Sequence, residues 1–148
     1  MKGLIDTNIL VYGTIHSLPE YPEAAKFLHT ALAGPDLYAV TWINLAEYLS
    51  LLTHSWKDRS AYMTMGDAVA NANEILKNPC VNVIVESASH WSTFNQVLSQ
   101  AGPVRGKFVH DCRIAAIMLE NGVDTIYTHD TDFRKIPGLE VIDPLVKK

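Results

Sequence analysis

The sequence predicts an α/β fold, specifically a three-layer α/β/α sandwich around a mostly parallel central sheet. Short apolar runs that suit buried strands alternate along the chain with longer stretches whose apolar residues recur at helical spacing. The composition, 48% hydrophobic and 19% charged over 148 residues, suits a compact core and argues against disorder. We therefore expect one domain that covers residues 1–148.

The chain opens with a predicted strand and a predicted helix. Residues 2–5 form an apolar run directly before Asp6, which indicates a short buried strand. Residues 22–33 carry apolar side chains at helical spacing, and the Gly34-Pro35 pair that follows is a typical helix stop.

A second strand and two more helices are predicted next. Residues 37–40 are apolar and follow the helix stop, which favours a strand. Thr41 is a suitable N-cap for a helix over residues 42–54. Ser60 is a candidate cap for another helix, which would end near Lys77.

The alternation continues to the end of the chain. Residues 81–85 are rich in β-branched side chains and form the clearest predicted strand. A helix is expected to begin at Ser87 or Ser89 and to stop at Gly102. The segment over residues 110–121 is strongly amphipathic and predicts another helix. Two short strands are expected over residues 125–127 and 140–142.

Whole-chain features favour a cytoplasmic protein. Cys80 and Cys112 show no metal-type spacing, and two thiols in a domain of this size are typical of a reducing compartment. The apolar segment before Asp6 is too short for a signal peptide. No apolar run approaches the ~20 residues of a membrane span, so no membrane association is expected.

The charge distribution allows contact with phosphates in one region. The net charge of −4 argues against a nonspecific nucleic-acid coat. Basic residues nevertheless gather in one stretch, which can serve phosphates or can be an ordinary solvated surface. They are Arg105, Lys107, Arg113, Arg134 and Lys135.

Four acidic residues are candidates for a functional site, and two of them follow predicted strands. Asp6 and Asp130 follow predicted strands, and sites in open sheets form beyond the carboxyl ends of strands. Asp111 opens a helix, and Glu47 lies within an apolar one. Each has a structural explanation as well: Asp6 and Asp130 as turn or cap residues, Asp111 as a partner of its helix dipole, Glu47 as part of a solvent stripe.

A cluster of the four acids has a clear chemical use. Carboxylates that lie close together repel and raise one another's pKa, unless a divalent cation neutralises them. Mg²⁺ prefers oxygen ligands and usually keeps several waters. Such a site polarises a phosphoryl oxygen and orients water for attack on phosphorus.

Four motifs, in order, resemble those of PIN-domain nucleases, and most closely the single-domain VapC-type toxins of toxin–antitoxin pairs. They are Leu4-Ile5-Asp6-Thr7-Asn8-Ile9-Leu10, Asn44-Leu45-Ala46-Glu47-Tyr48-Leu49, Val109-His110-Asp111-Cys112-Arg113-Ile114-Ala115-Ala116 and Thr128-His129-Asp130-Thr131-Asp132-Phe133. The resemblance covers essentially the whole chain. It implies a magnesium-dependent endoribonuclease, with Mn²⁺ as a possible substitute, that cleaves a structured RNA such as a tRNA or a ribosomal RNA. It also implies a homodimer and a VapB-type antitoxin that inserts a segment into the active-site groove.

The resemblance also assigns roles to residues. Asp6 and Asp111 would be the magnesium ligands, and Glu47 and Asp130 would complete the acidic pocket. Asp132 is an alternative for the fourth acid, although Asp130 lies nearer the strand end. Candidates for hydrogen bonds that orient the carboxylates, or alternatively for turns and caps, are Thr7, Asn8 and Thr128.

Other chemically capable residues have weaker claims. His110 and His129 each precede a proposed catalytic Asp, but no spacing supports a zinc site, which favours a structural or substrate-rim role. The three tryptophans can stack on RNA bases, but core or dimer packing is the favoured expectation. They are Trp42, Trp56 and Trp91.

Two other function classes compete with the nuclease. One is a non-catalytic module of the same fold that binds RNA or protein, and the presence of all four acids counts against it. The other is a phosphatase or receiver-type protein with Asp6 as phosphoryl acceptor. The haloacid-dehalogenase phosphatase pattern has a second Asp two residues later, where this chain has Asn8.

Overall fold

A computed structural model describes residues 1–146 of the chain. The last two positions of the predicted domain, residues 147 and 148, lie outside the described residues. The β-strands are β1 (Gly3–Ile5), β2 (Tyr38–Val40), β3 (Val81–Val83), β4 (Thr125–Tyr127) and β5 (Glu140–Ile142). The α-helices are α1 (Thr7–Tyr12), α2 (Tyr21–Leu32), α3 (Trp42–Thr53), α4 (Met65–Lys77), α5 (His90–Gln100) and α6 (Phe108–Glu120), and a 3₁₀ helix covers Thr131–Lys135.

The five strands form one parallel sheet in the order β3-β2-β1-β4-β5. Helices cover both faces, which confirms the predicted three-layer sandwich. The chain crosses from β1 to β2 on one side and returns to β4 on the other, so the switch in strand order lies between β1 and β4. In open α/β sheets, ligands bind in the crevice at such a switch point.

Alternation along the strands sorts the core into two layers. Leu4 and Ile126 face the layer that contains α5 and α6, whereas Ile5 and Tyr127 face the layer that contains α1 to α4. Gly3 is fixed by this packing, because a Cβ there would lie 2.8 Å from the Thr125 carbonyl oxygen. Across residues 1–146, no helix is long and apolar enough to cross a membrane.

Several predicted boundaries are wrong for identifiable reasons. The helix expected from Ser60 begins only at Met65, because Thr64 is its N-cap and accepts a hydrogen bond from the Asp67 N–H at 3.2 Å. Residues 56–59 instead form a tight turn, in which the N–H of Trp56 donates to the carbonyl of Arg59 at 2.8 Å. The strand predicted over 81–85 stops at Val83, where its pairing with β2 ends.

Two elements escaped prediction. Helix α1 begins directly after β1, with Asp6 as its N-cap, and the 3₁₀ helix begins after Asp130, which accepts a hydrogen bond from the Asp132 N–H at 2.8 Å. The cap explanation offered for Asp6 and Asp130 is therefore correct. It does not exclude a further role, because a capping carboxylate still has free lone pairs.

Candidate active site

Three of the predicted acids line one cavity at the switch point of the sheet. The cavity has a volume of about 750 Å³, and Glu47 of α3, Asp111 of α6 and Asp130 after β4 border it. Asp6 is 6% exposed and bonded to Asn8, which also lines the cavity. The four acids thus converge from positions up to 124 residues apart, the span from Asp6 to Asp130.

The carboxylate of Asp6 is fixed by four donors. Its Oδ1 accepts hydrogen bonds from the Thr7 N–H at 2.8 Å and the Asn44 amide at 3.3 Å. Its Oδ2 accepts from the Thr128 hydroxyl at 2.7 Å and the Asn8 amide at 2.9 Å. This set locks the carboxylate in one orientation and ties the end of β1 to the segment after β4.

Asn44 is the residue that sequence reasoning missed. It is fully buried. Its amide nitrogen donates to the carboxylate of Asp6 and to the hydroxyl of Thr7, and its carbonyl oxygen accepts from Thr41 in a capping box at the start of α3. The Thr41-x-x-Asn44 spacing was the available signal.

Glu47 and Thr7 connect α3 to α1. The hydroxyl of Thr7 donates to Glu47 Oε2 at 3.0 Å. The carboxylate of Glu47 is exposed toward the cavity and still has acceptor capacity. Helix α3 therefore contributes a buried amide to Asp6 and an accessible carboxylate to the cavity from positions three residues apart, which lie on neighbouring parts of one helical face.

Burial and mutual repulsion raise the pKa of two acids. Burial raises the pKa of Asp6 to about 6, although the hydrogen bonds from Thr128 and from the Thr7 N–H oppose this change. Burial also raises the pKa of Asp111 to about 7, and the negative charge of Asp6 adds to the effect. Smaller contributions of the same sign come from Asp130 and Glu47 at both groups. The cluster is therefore poorly neutralised by its own surroundings.

The structure distinguishes Asp130 from Asp132. Both line the cavity, but Asp132 forms an ion pair with Lys135 at 2.6 Å. Asp130 raises the pKa of both Asp6 and Asp111, and Asp132 raises the pKa of Asp111 by less than Asp130 does. The repulsion of Asp130 with both Asp6 and Asp111 favours it as the fourth acid of the cluster.

The basic stretch divides into paired and cavity-lining residues. Arg113 pairs with Glu86 at 3.2 Å, and Lys135 pairs with Asp132. Lys107 lines the cavity beside His110. Arg105 and Arg134 are exposed, and Lys107, directly before α6, is the member of this basic set that lines the cavity.

The histidines and tryptophans lie mainly at the surface. His129 packs edge-on against Tyr12 and bonds to Asp143 at 2.8 Å, a structural arrangement beside the site. The prediction that the tryptophans pack in the core is wrong, because Trp42, Trp56 and Trp91 are 56%, 55% and 69% exposed. Each lies near a helix end or in a loop, where no second layer covers it.

The donors present suit a hard divalent cation. Asp6 and Asp111 offer carboxylate oxygens whose pKa values are raised, chiefly by burial and further by the neighbouring carboxylates, so a bound cation would favour their charged forms. Across residues 1–146, no three His, Cys, Asp or Glu side chains are grouped so that they can hold one ion by themselves. That arrangement fits Mg²⁺, which takes one or two carboxylates and retains waters, better than Zn²⁺, which requires three or four protein ligands.

Comparisons with known proteins identify the family. The PIN domain family model matches residues 3–139. Ribonuclease VapC48 of Mycobacterium tuberculosis is 31% identical over 144 residues, which cover 97% of this chain and 98% of that protein. Two solved structures share the fold: VapBC2 from Rickettsia felis bound to a DNA fragment from its promoter, and VapC20 of Mycobacterium tuberculosis, described as a Sarcin-Ricin loop cleaving toxin.

The first structure aligns with a TM-score of 0.68 and 23% identity, covering 96% of this chain and 98% of the other. The second aligns with a TM-score of 0.64 and 21% identity, covering 88% and 92%. The family model spans all four acidic motifs, and the sheet order and the acidic crevice agree with the sequence resemblance. The chain therefore belongs to the PIN domain family.

Proposed function

We propose that this protein is a magnesium-dependent endoribonuclease and the toxin of a toxin–antitoxin pair, acting in the cytoplasm. The observation that carries the proposal is the set of three acids that line one cavity with Asp6 buried beside it, the pKa values of Asp6 and Asp111 being raised. The relatedness to a named VapC ribonuclease supports RNA as the substrate. By the same relatedness, we propose a structured RNA such as a tRNA or a ribosomal RNA.

The residues of the chain would divide the work. Asp6 and Asp111 would hold the cation, because the first is buried and the second half-buried among other carboxylates, and burial raises the pKa of both. Bound Mg²⁺ would supply Lewis acidity toward the phosphoryl oxygen and lower the pKa of water. Glu47 and Asp130 would accept hydrogen bonds from water and hold it in line with the scissile bond. Lys107 lies at the cavity wall, where its charge would offset that of the RNA backbone.

The decisive test is RNA cleavage by the purified protein. Total tRNA and ribosomal RNA would be incubated with Mg²⁺, with Mn²⁺ and with EDTA. We expect cleavage with either metal, none with EDTA, and a loss of more than about 100-fold in Asp6→Asn and Asp111→Asn. The matched control is Asp67→Asn, an exposed Asp on α4 outside the cavity.

Circular dichroism would establish that each variant is folded. Cleavage that persists in folded Asp111→Asn protein would show that the site is elsewhere. An inert wild-type protein that still binds RNA would favour the alternative, a non-catalytic module of the PIN fold.

A VapB-type antitoxin is the proposed protein partner, in line with the VapBC structures of the same fold. An arginine inserted beside the unneutralised carboxylates would pair with them through its bidentate fork. We also propose a homodimer, since Trp42 and Val85 are both more than half exposed and border one shallow cavity. Sedimentation of Trp42→Ala should show a monomer where the wild type shows a dimer.

A further inference from the structure

A second cavity, called the aromatic cavity below, adjoins the acidic one and has three aromatic side chains in its wall, together with the aliphatic side chains of Val11, Leu18 and Leu51. It has a volume of about 240 Å³, and its wall includes Tyr12, Trp56, Arg59 and Tyr62. Asn8, which bonds to Asp6, borders both cavities. The space is small for a whole drug-sized ligand but suits one flat ring system.

The tight turn over residues 56–59 preorganises this wall. Two backbone hydrogen bonds join Trp56 and Arg59, at 2.8 and 3.2 Å, so their side chains leave neighbouring points of the chain. The guanidinium of Arg59 lies 4.0 Å from the centre of the Tyr62 ring. The guanidinium also donates to the Ser60 carbonyl oxygen at 3.0 Å. In the part of the chain that the structure describes, Arg59 forms no ion pair with a carboxylate, so its positive charge is not neutralised by an acid.

Two helices set the distance from the acids. On α1, Asn8 lies at the acidic cavity and Tyr12, one turn later, lies at the aromatic cavity. On α3, Glu47 and Leu51 are related in the same way. One helical turn is 5.4 Å, against a rise of about 3.4 Å per nucleotide in a stacked strand. The aromatic cavity therefore lies about one or two nucleotides from the acids.

We propose that this aromatic cavity binds an unpaired nucleobase of the RNA next to the bond that is cleaved. Proteins hold single-stranded nucleic acid through stacking on aromatic rings and cation–π contact with arginine. In this cavity Trp56 is exposed, whereas Tyr12 and Tyr62 are half-buried. A buried-core explanation fails because Trp56 is 55% exposed. The charge of Arg59 favours a nucleotide, which carries a phosphate, over a purely apolar occupant. This assignment rests on the proposed function only for the identity of the ligand as RNA.

The first test measures binding without catalysis. In a Trp42→Phe, Trp91→Phe background, Trp56 is the only tryptophan of the chain. RNA hexamers of adenosine, uridine or cytidine would be titrated in EDTA, and stacking should quench the Trp56 fluorescence. In the native background, Trp56→Ala should weaken hexamer binding by about 5- to 100-fold, and Trp56→Phe should restore most of it. The matched control is Trp91→Ala, which removes an exposed tryptophan from α5 and should bind like the wild type.

The second test measures cleavage of an RNA whose cut site has been mapped. An abasic nucleotide one or two positions from the cut should reduce kcat/KM in the wild type but add little in Trp56→Ala. Quenching without any cleavage would overturn the nuclease proposal and leave the base site standing. Unchanged hexamer binding by folded Trp56→Ala overturns the base site. So does a Trp56→Ala variant that binds RNA normally but has lost its antitoxin, because the cavity would then be a protein-docking groove.

Discussion

Replacing Asp111 by Asn should stabilise the metal-free protein while it abolishes activity. Asp111 lies partly buried among other carboxylates, and in residues 1–146 its side chain accepts no hydrogen bond that an amide would lose. The substitution keeps the shape of the side chain and removes its charge. The folded state then no longer contains a carboxylate that is partly removed from water and repelled by its neighbours.

The pKa of Asp111 sets the size of the effect. It rises from its usual value of 3.8 to about 7, a difference of about 3 units, or about 4 kcal/mol at 1.36 kcal/mol per unit. Solvent at the open cavity screens the group, so we expect a gain of about 1–2 kcal/mol at pH 7.5. For a chain of this length, that gain raises Tm by about 3–6 °C.

The pH dependence gives the sign of the effect independently. Between pH 3.8 and about pH 7 the unfolded chain has released the Asp111 proton and the folded protein has not, so wild-type stability falls as the pH rises. The advantage of Asp111→Asn should therefore be largest above pH 7 and should shrink at pH 5.

Calorimetry in EDTA at both pH values is the assay, with Asp58→Asn in an exposed loop as a control that should change stability by less than about 0.5 kcal/mol. Added Mg²⁺ should stabilise the wild type more than Asp111→Asn, because only the wild type retains both proposed ligands. A variant that is less stable than the wild type in EDTA at pH 7.5 would refute the reasoning. So would an advantage that is independent of pH.

Three other substitutions test the surrounding structure. Asn44→Ala removes a buried amide that caps α3 and bonds to Asp6, and urea unfolding should show a loss of about 2–3 kcal/mol. Gly3→Ala places a methyl group against β4 and should cost about 1–3 kcal/mol, measured by thermal unfolding. Glu120→Gln should destabilise the protein at pH 7. Burial raises the pKa of Glu120, but hydrogen bonds, including one from His90, outweigh burial and hold this pKa below its usual value. The stability that the ionised group contributes is therefore lost as the pH falls below about 4.5. Unfolding midpoints measured across this pH range should show the two proteins converge.

The sequence predicts the fold more accurately than it predicts where each helix and strand begins and ends. The parallel sheet follows from strands that alternate with helices, a pattern visible in the chain. Helix α1 was not predicted because it has only six residues, of which Thr7 and Asn8 are polar, and it begins directly after β1 with Asp6 alone between the two elements. The start of α4 was misplaced because Ser60 and Thr64 are equivalent caps until the turn at residues 56–59 is known.

The sequence predicts the acids of the site but not the residues that hold them in place. The order of motifs singles out Asp6, Glu47, Asp111 and Asp130, and the structure places them around one crevice. The role of Asn44 depends on contacts with residues 37 and 38 positions away, which no local pattern encodes. The aromatic cavity likewise requires α1, α3 and the following loop to meet in space.

The bond between Thr128 and Asp6 joins residues 122 positions apart. During synthesis, the first acid emerges from the ribosome long before the third and fourth. A nascent chain that ends before about residue 130 lacks the Thr128 hydroxyl that donates to Asp6 and the carboxylate of Asp130 that borders the cavity. The acidic crevice is thus assembled late in synthesis, once β4 has joined the sheet.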